Sequence, residues 1–333
     1  MKVKMHDNQT VLVTGGAGFI GSHTCEALLK SGYNVISIDN YSDYYSPEYK
    51  RENIKDIMNS AGNSRFISYE GDIRDMNFLD DVFNKSQPDI IIHLAACAGV
   101  RSSILNPVLF TEVNINGTVN ILECIRKYNI NKLLFASSSS VYGNNVKVPF
   151  CESDFVDRPI SPYAATKKAS ELLCHTYHHL YDINAACLRF FTVYGPRQRP
   201  DLAVYKFTKL ILEGKPIPFY GDGTTQRDYT FINDITEGIL KAVEWVNGSG
   251  KSFDIFNLGE ASTVTLSQML QTLENELGLK AKLDIMPRQP GDVNKTYADI
   301  SHSREVLGYN PATSFEQGIK SFVRWYKQNR LIS

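Results

Sequence analysis

Short apolar or β-branched runs recur along the chain, each followed by a longer segment in which apolar residues return at helical spacing. The runs are Val11–Val13, Val35–Ile38, Phe66–Tyr69, Ile90–Leu94, Lys132–Ser137 and Ala185–Leu188. Strands that read as continuous apolar runs are buried on both faces, and their alternation with helices is how parallel βαβ units appear in a sequence. Helical spacing covers Gly21–Ser31, Phe110–Tyr128 and Pro162–Tyr181. Beyond Arg189 the alternation is broken by Gly195-Pro196, Arg199-Pro200, Lys215-Pro216, Pro218 and Gly221-Asp222-Gly223, where a second lobe is expected to start. A helical stretch, Ile232–Trp245, and an apolar run, Phe253–Leu258, are expected to return to the first sheet. The pattern predicts an α/β chain with a doubly wound parallel sheet and a smaller C-terminal mixed α/β lobe. The expected division is 1–190 with a return segment at about 229–260 for the first unit, and 191–228 with 261–333 for the second.

Composition narrows the partners. The 333 residues carry 35 Lys+Arg against 36 Asp+Glu, a formal net charge of -1, so bulk charge advertises neither nucleic acid nor an anionic membrane. A polyanionic ligand must therefore be held by local groups. No apolar run approaches the roughly 18 residues of a membrane helix, and Met1–Asn8 lacks a signal-peptide apolar region, so a cytoplasmic location is expected. Cys25, Cys97, Cys124, Cys151, Cys174 and Cys187 are scattered without a C-x-x-C pair, which points to reduced thiols and to no metal site.

Gly15-Gly16-Ala17-Gly18-Phe19-Ile20-Gly21 follows the first strand and opens the first helix. Its glycines fit G-x-x-G-x-x-G from Gly15 and G-x-G-x-x-G from Gly16. A pyrophosphate needs a backbone with no Cβ in the way and a helix N-terminus whose N–H groups face the anion. The second strand ends in Asp39, whose carboxylate can accept hydrogen bonds from both adenosine ribose hydroxyls and would repel a 2′-phosphate, so NAD is favoured over NADP. Gly71-Asp72-Ile73 is a candidate cover for the adenine edge. The bland alternative is a tight βα turn with a loop aspartate.

Tyr163 and Lys167 stand four apart on one face of a helix that Ser161 can cap and Pro162 can start. A free tyrosine titrates at about pH 10, so it acts as a base at neutral pH only where cations stabilise the phenolate. Lys167 and a positive nicotinamide ring could do so while a sugar alcohol loses its proton and hydride. Ser138, Ser139 and Ser140 lie at the C-terminal end of the fifth strand, where open α/β sheets bind ligands. Their hydroxyls can bridge substrate and tyrosine. Alone, Tyr-x-x-x-Lys reads as helix surface and the serines as a turn.

Together the glycine loop, Asp39, His93-Leu94-Ala95-Ala96, Ser138 to Tyr142-Gly143 and Tyr163-x-x-x-Lys167 resemble the extended short-chain dehydrogenase/reductases, and specifically their nucleotide-sugar epimerases. The resemblance runs from about Thr10 to the C-terminus. It implies a Rossmann-type domain with tightly held NAD, a C-terminal lobe for a nucleoside diphosphate sugar, and homodimers packed through the helices at Phe110–Tyr128 and Pro162–Tyr181. Carried over residue by residue, it implies cofactor contacts at Gly15, Gly18, Phe19, Ile20, Gly21, Asp39, Asn40, Asp72, Ile73, Leu94, Ala95, Ala96, Asn114, Ser137, Tyr163, Lys167, Phe190 and Val193. The implied catalytic group is Tyr163, Lys167, Ser138, Ser139 and Ser140.

The 4,6-dehydratases of this family carry an Asp-Glu pair near the strand-five serines, and the related decarboxylases a Glu just before Val-Tyr-Gly. This chain has Ser138-Ser139-Ser140-Val141-Tyr142 there, so the resemblance implies 4-epimerisation through a transient 4-keto sugar. For a UDP-sugar it matches Arg227 to the family's phosphate arginine and Asp292 to its uridine-ribose carboxylate, with substrate contacts also at Arg101, Tyr163, Tyr220 and the three serines. Gln289 stands where galactose epimerases usually have arginine, with Arg288 one place earlier. Thr192 replaces the usual asparagine, and Pro196-Arg197-Gln198-Arg199-Pro200-Asp201 follows. With Asp43-Tyr44-Tyr45 and Ala98-Gly99-Val100-Arg101, this is most similar to UDP-glucuronate 4-epimerases. Arg199 and Thr192 could take a C6 carboxylate, and Thr296 leaves room where a bulky aromatic is common. Alternatives stay open. The arginines could be solvated surface residues, the substrate a neutral UDP-hexose or UDP-N-acetylhexosamine, and the protein a catalytically silent NAD-binding regulator. The histidines, including His175, His178 and His179, do not form a metal set.

Overall fold

The structure is a computed structural model and describes residues 9–61, 65–248, 250–287 and 294–331. Six strands alternate with helices through the first part of the chain: β1 (Thr10–Thr14), β2 (Asn34–Asp39), β3 (Phe66–Glu70), β4 (Ile90–His93), β5 (Lys132–Ser138) and β6 (Asn184–Phe190). The remaining strands are β7 (Thr192–Tyr194), β8 (Pro216–Tyr220), β9 (Gln226–Arg227), β10 (Tyr229–Phe231), β11 (Phe253–Leu258), β12 (Val264–Thr265) and β13 (Lys282–Met286). Strands β1 to β6 and β11 form one parallel sheet in the order β11-β6-β5-β4-β1-β2-β3. The six runs read from hydrophobicity are six of its strands, and Phe253–Leu258 joins it beside β6.

Successive residues of each strand go to opposite faces, which is why the runs are apolar throughout. Val11, Val13, Ile90 and Ile92 pack with the first helix, Phe19–Lys30, and with Ile232–Val246, whereas Leu12, Ile36, Ile91 and Phe135 pack on the other face. Chain order reverses between β1 and β4, so a crevice opens beyond the carboxyl ends of these neighbours, where doubly wound sheets bind ligands. Smaller pairings, β7 with β10, β8 with β13 and β9 with β12, build the remainder. No helix among the described residues is long and apolar enough to cross a membrane.

One expected element is interrupted. The helix expected over Phe110–Tyr128 is an α-helix at Pro107–Thr111, a π-turn at Glu112–Asn116, and an α-helix again at Gly117–Lys127. The cause is local. The Asn114 carbonyl accepts the hydroxyls of Thr118 and Ser170, at 2.6 and 3.0 Å, and its side chain grips the Cys97 backbone. An extra residue in the turn of this kind marks functional sites more often than plain helix does. The Pro162–Tyr181 helix has the expected bounds, with the Ser161 hydroxyl accepting from the Ala164 N–H at 3.1 Å.

Candidate active site

The loop after β1 is shaped by its glycines. Gly15 has φ +72°, and a Cβ there would lie 2.8 Å from the Ala95 nitrogen; a Cβ on Gly21 would run into the Gly15 carbonyl. The Gly15 N–H donates to Ile38 O at 2.7 Å and the Gly18 N–H to Gly15 O at 3.1 Å, which brings the loop over β2. The first helix starts after Gly18 without a side-chain cap and without an acid in its first turn, where Phe19 and Ile20 sit. Its first N–H groups therefore face the crevice with no carboxylate competing for them, the setting a pyrophosphate requires.

Asp39 ends β2 beside this loop. Its Oδ2 accepts from the Ala17 N–H at 3.2 Å, its Oδ1 from the Tyr41 N–H at 2.9 Å, and the buried Lys50 Nζ lies 3.6 Å away. Asn40 donates to Asp72 at 3.0 Å. The Asp72 carboxylate is gripped at both oxygens by Arg74, at 3.0 and 2.8 Å, and Arg74 is the main cause holding its pKa down at about 2. Ile73 is buried against Gly117. Across the crevice the Leu94 N–H donates to Thr14 O and the Ala95 N–H to Thr14 Oγ1, each at 3.2 Å, with Ala96 next in the loop. A backbone stripped of Cβ atoms, an uncapped helix start and a strand-end carboxylate fit NAD.

The catalytic candidates converge from two elements. Ser138 closes β5 and its hydroxyl accepts from the Ser140 N–H at 3.1 Å, which tightens Ser139–Tyr142 into a 3₁₀ turn. Tyr163, on the next helix, hydrogen-bonds with Ser138. Burial pushes the phenol above its ordinary pKa, while the Ser138 hydrogen bond and the Arg199 charge pull it back down. The sequence spacing points to Lys167 as a further cation for the phenol; in the structure Lys167 Nζ, one helical turn on, donates to the Ala136 carbonyl at 2.7 Å. Burial brings Lys167 down from 10.5 to about 8. Asn114 reaches the same helix through Thr166 Oγ1, at 3.0 Å.

Ser137 faces away from this group and donates to Glu171 at 2.6 Å. Glu171 forms a bidentate pair with Arg189, 2.9 Å at each contact, and Arg189 in turn donates to the Tyr142 hydroxyl at 3.0 Å. Both charged side chains are about fully buried, so the pair satisfies itself beneath the serine turn. Phe190 and Val193 are buried where β6 gives way to β7.

From the second part of the chain, Arg199 approaches Tyr163 closely enough for its charge to act on the phenol. Arg101 lies over the Tyr220 ring, 5.2 Å from its centre. Thr192 pairs with Tyr229, and its N–H donates to the Asp228 carbonyl at 3.0 Å. The Thr296 hydroxyl accepts from the Asp228 N–H at 3.2 Å. Arg227 sits on β9 opposite Val264. Arg288 and Asp292 lie outside the described residues.

Lys50 and Arg74 belong to the neighbourhood and escape sequence reasoning, whereas Tyr44 is legible there only as part of the Asp43-Tyr44-Tyr45 motif. Arg74 carried a weak signal, two residues beyond Asp72, but Lys50 meets Asp39 only through the way its helix, Pro47–Ala61, folds back. His93 is also structural: it bridges Thr14 and Thr118, at 2.7 and 3.0 Å, and burial holds it neutral with a pKa of about 3.

A family model described as GDP-mannose 4,6 dehydratase matches residues 12–322. UDP-glucuronate 4-epimerase 4 of Arabidopsis thaliana is 44% identical over 341 residues, covering 98% of this chain and 77% of that protein. UDP-glucuronate 4-epimerase of Thermodesulfobacterium geofontis is 41% identical over 319 residues, covering 96% of each. The crystal structure of UDP-glucuronic acid 4-epimerase from Bacillus cereus, in complex with UDP-glucuronic acid and NAD, matches with a TM-score of 0.89 at 37% identity, over 96% of this chain and 99% of that one. With the glycine loop, Asp39 and the Ser138–Tyr163–Lys167 group in one crevice, the chain belongs to the GDP-mannose 4,6 dehydratase family of extended short-chain dehydrogenase/reductases.

Proposed function

We propose that this chain is an NAD-dependent isomerase that inverts C4 of a UDP-sugar, interconverting UDP-glucuronate and UDP-galacturonate through a 4-keto sugar. The observation that carries this reading is the meeting of Ser138, Tyr163 and Arg199, a base with its proton relay and a cation in one place. The glycine loop and Asp39 hold NAD, with Asp72, Asn114, Lys167 and the loop at Leu94–Ala96 along its length. The chemistry NAD supplies when bound is a reversible store for the C4 hydride.

Tyr163 takes the proton of the 4-hydroxyl as the hydride leaves, and Ser138 passes that proton between sugar oxygen and phenol. Ser139 and Ser140 steady the sugar hydroxyls. With a pKa of about 8, Lys167 remains mostly protonated at neutral pH, and its charge supports the phenolate. Arg227 takes the diphosphate, with Arg101 and Tyr220 beside it, and Arg288 and Asp292 are proposed at the nucleotide end. Arg199, aided by the Thr192 hydroxyl, takes the C6 carboxylate. The 4-keto sugar turns over and receives hydride on its other face. The dehydratase of the family model's description needs an acid-base pair at the serine turn, where this chain has Ser139 and Ser140.

Several further features support one setting. Leu105 is 80% exposed and Val108 70%, beside Ile104, Leu172 and Leu180 on neighbouring helices, an apolar face that a second copy would cover to make a homodimer. Six free thiols fit a reducing cytoplasm. Segments 1–190 and about 229–260 serve NAD, and 191–228 with 261–333 serve the UDP-sugar. Incubation with a panel of UDP-hexoses and UDP-hexuronic acids, resolved by chromatography, tests the proposal: UDP-glucuronate should give UDP-galacturonate with no net change in NADH, and inertness toward the whole panel would sink it.

A further inference from the structure

Arg199 is gripped from one side. Its Nε and Nη2 donate to the two oxygens of Asp201 at 3.0 and 2.9 Å, whereas its Nη1 donates no hydrogen bond among the described residues. Tyr44 closes the arrangement from the loop after β2. Its ring lies 5.4 Å from the guanidinium carbon, and its hydroxyl pairs with Ser102 at 2.8 Å and donates to Asp201 Oδ2 at 3.4 Å. Arg199 is only 19% exposed; burial pulls its pKa down, and Asp201, with Tyr44 and Tyr163, raises it above the ordinary value.

The loop itself is anchored elsewhere. Arg197 donates to Glu26 on the first helix at 2.8 Å, and His23 meets the Pro196 carbonyl at 3.0 Å. Asp201 is therefore not needed to hold the loop down. What it controls is the side chain of Arg199, whose remaining edge is a donor pair of the geometry that a second carboxylate accepts.

We propose that Asp201 is a positioning residue that, with Tyr44, fixes the Arg199 guanidinium so that its Nη1 edge is presented to a carboxylate on the sugar beside Tyr163. This rests on the C6 carboxylate reading above. A guanidinium held by one fork and offering the other discriminates by direction, because a neutral hydroxymethyl group cannot accept both donors. Asp201 also offsets part of the charge that Arg199 exerts on Tyr163.

The test compares the parent, Asp201→Ala and Asp201→Asn with UDP-glucuronate and UDP-glucose, together with kcat against pH. Asp201→Ala should raise KM for UDP-glucuronate roughly tenfold and lower the preference over UDP-glucose by a similar factor. Asp201→Asn, which keeps an acceptor oxygen, should recover most of that preference. Both variants remove the offsetting charge, so the acid limb of kcat should move to lower pH, a shift that mere loosening of the loop does not produce. A parent that turns over both sugars alike overturns the carboxylate reading and with it the discrimination proposed for Asp201. A parent that prefers UDP-glucuronate, beside an Asp201→Ala variant with the same preference and the same acid limb, overturns the Asp201 proposal alone.

Discussion

Lys167 Nζ donates to the carbonyl of Ala136 across 2.7 Å, so the helix that carries Tyr163 is pinned to the strand that carries the serines. Burial sets the Lys167 pKa at about 8, and its proton therefore departs as pH rises through that value, taking with it the charge that the proposed mechanism assigns to supporting the Tyr163 phenolate. The kcat profile should descend on the alkaline side around that pH. Lys167→Gln should flatten this descent and lower kcat by about a hundredfold. An unchanged alkaline limb in the variant would assign it to another group.

Glu171 and Arg189 neutralise each other in the core beneath the serine turn. Glu171→Gln leaves the guanidinium uncompensated and should cost about 3–5 kcal/mol in urea unfolding, whereas replacing both by Met should cost less than the two single changes together. Simple additivity would mean the two residues act independently.

Glu260 responds to pH in the opposite sense from most carboxylates. Burial first, then the charges of Asp234 and Asp228, raise its pKa from 4.5 to about 7. Between those values the unfolded chain has released the proton and the folded chain retains it, so stability is lost as pH rises through the interval. Because Glu260 is partly exposed, the effect is screened. Glu260→Gln should raise Tm at pH 8 by about 1–3 °C and leave it nearly unchanged at pH 4.5, as read by thermal unfolding at both values.

The Asp39 carboxylate, proposed to meet the 2′ position of the adenosine ribose, has Lys50 Nζ 3.6 Å away. Asp39→Asn removes the repulsion and leaves Lys50 as the neighbouring charge. The preference for NAD over NADP, measured by titration of binding, should fall by about ten- to a hundredfold. A preference that survives the change would place cofactor discrimination elsewhere.

Much of this was legible along the chain because each signal was local. Runs buried on both faces gave β1 to β6, and Pro162 with Ser161 set the start of the Tyr163 helix. The glycine loop and Asp39 stand out along the chain because the groups that a pyrophosphate and a ribose would need lie close in sequence. What escaped depends on distant segments. Lys50 reaches Asp39 only through the packing of its helix, and the π-turn at Glu112–Asn116 depends on Ser170, more than fifty positions later. Tyr44, Ser102 and Asp201 meet only once two loops and the short helix Val100–Leu105 are in place.

The most direct test follows the hydrogen at C4. With UDP-glucuronate deuterated at C4, in ordinary water, the UDP-galacturonate formed should retain the deuterium, because the same hydride leaves and returns without exchange. Retention with no net accumulation of NADH is the predicted result. Product in which C4 carries solvent hydrogen would contradict hydride transfer through a 4-keto sugar.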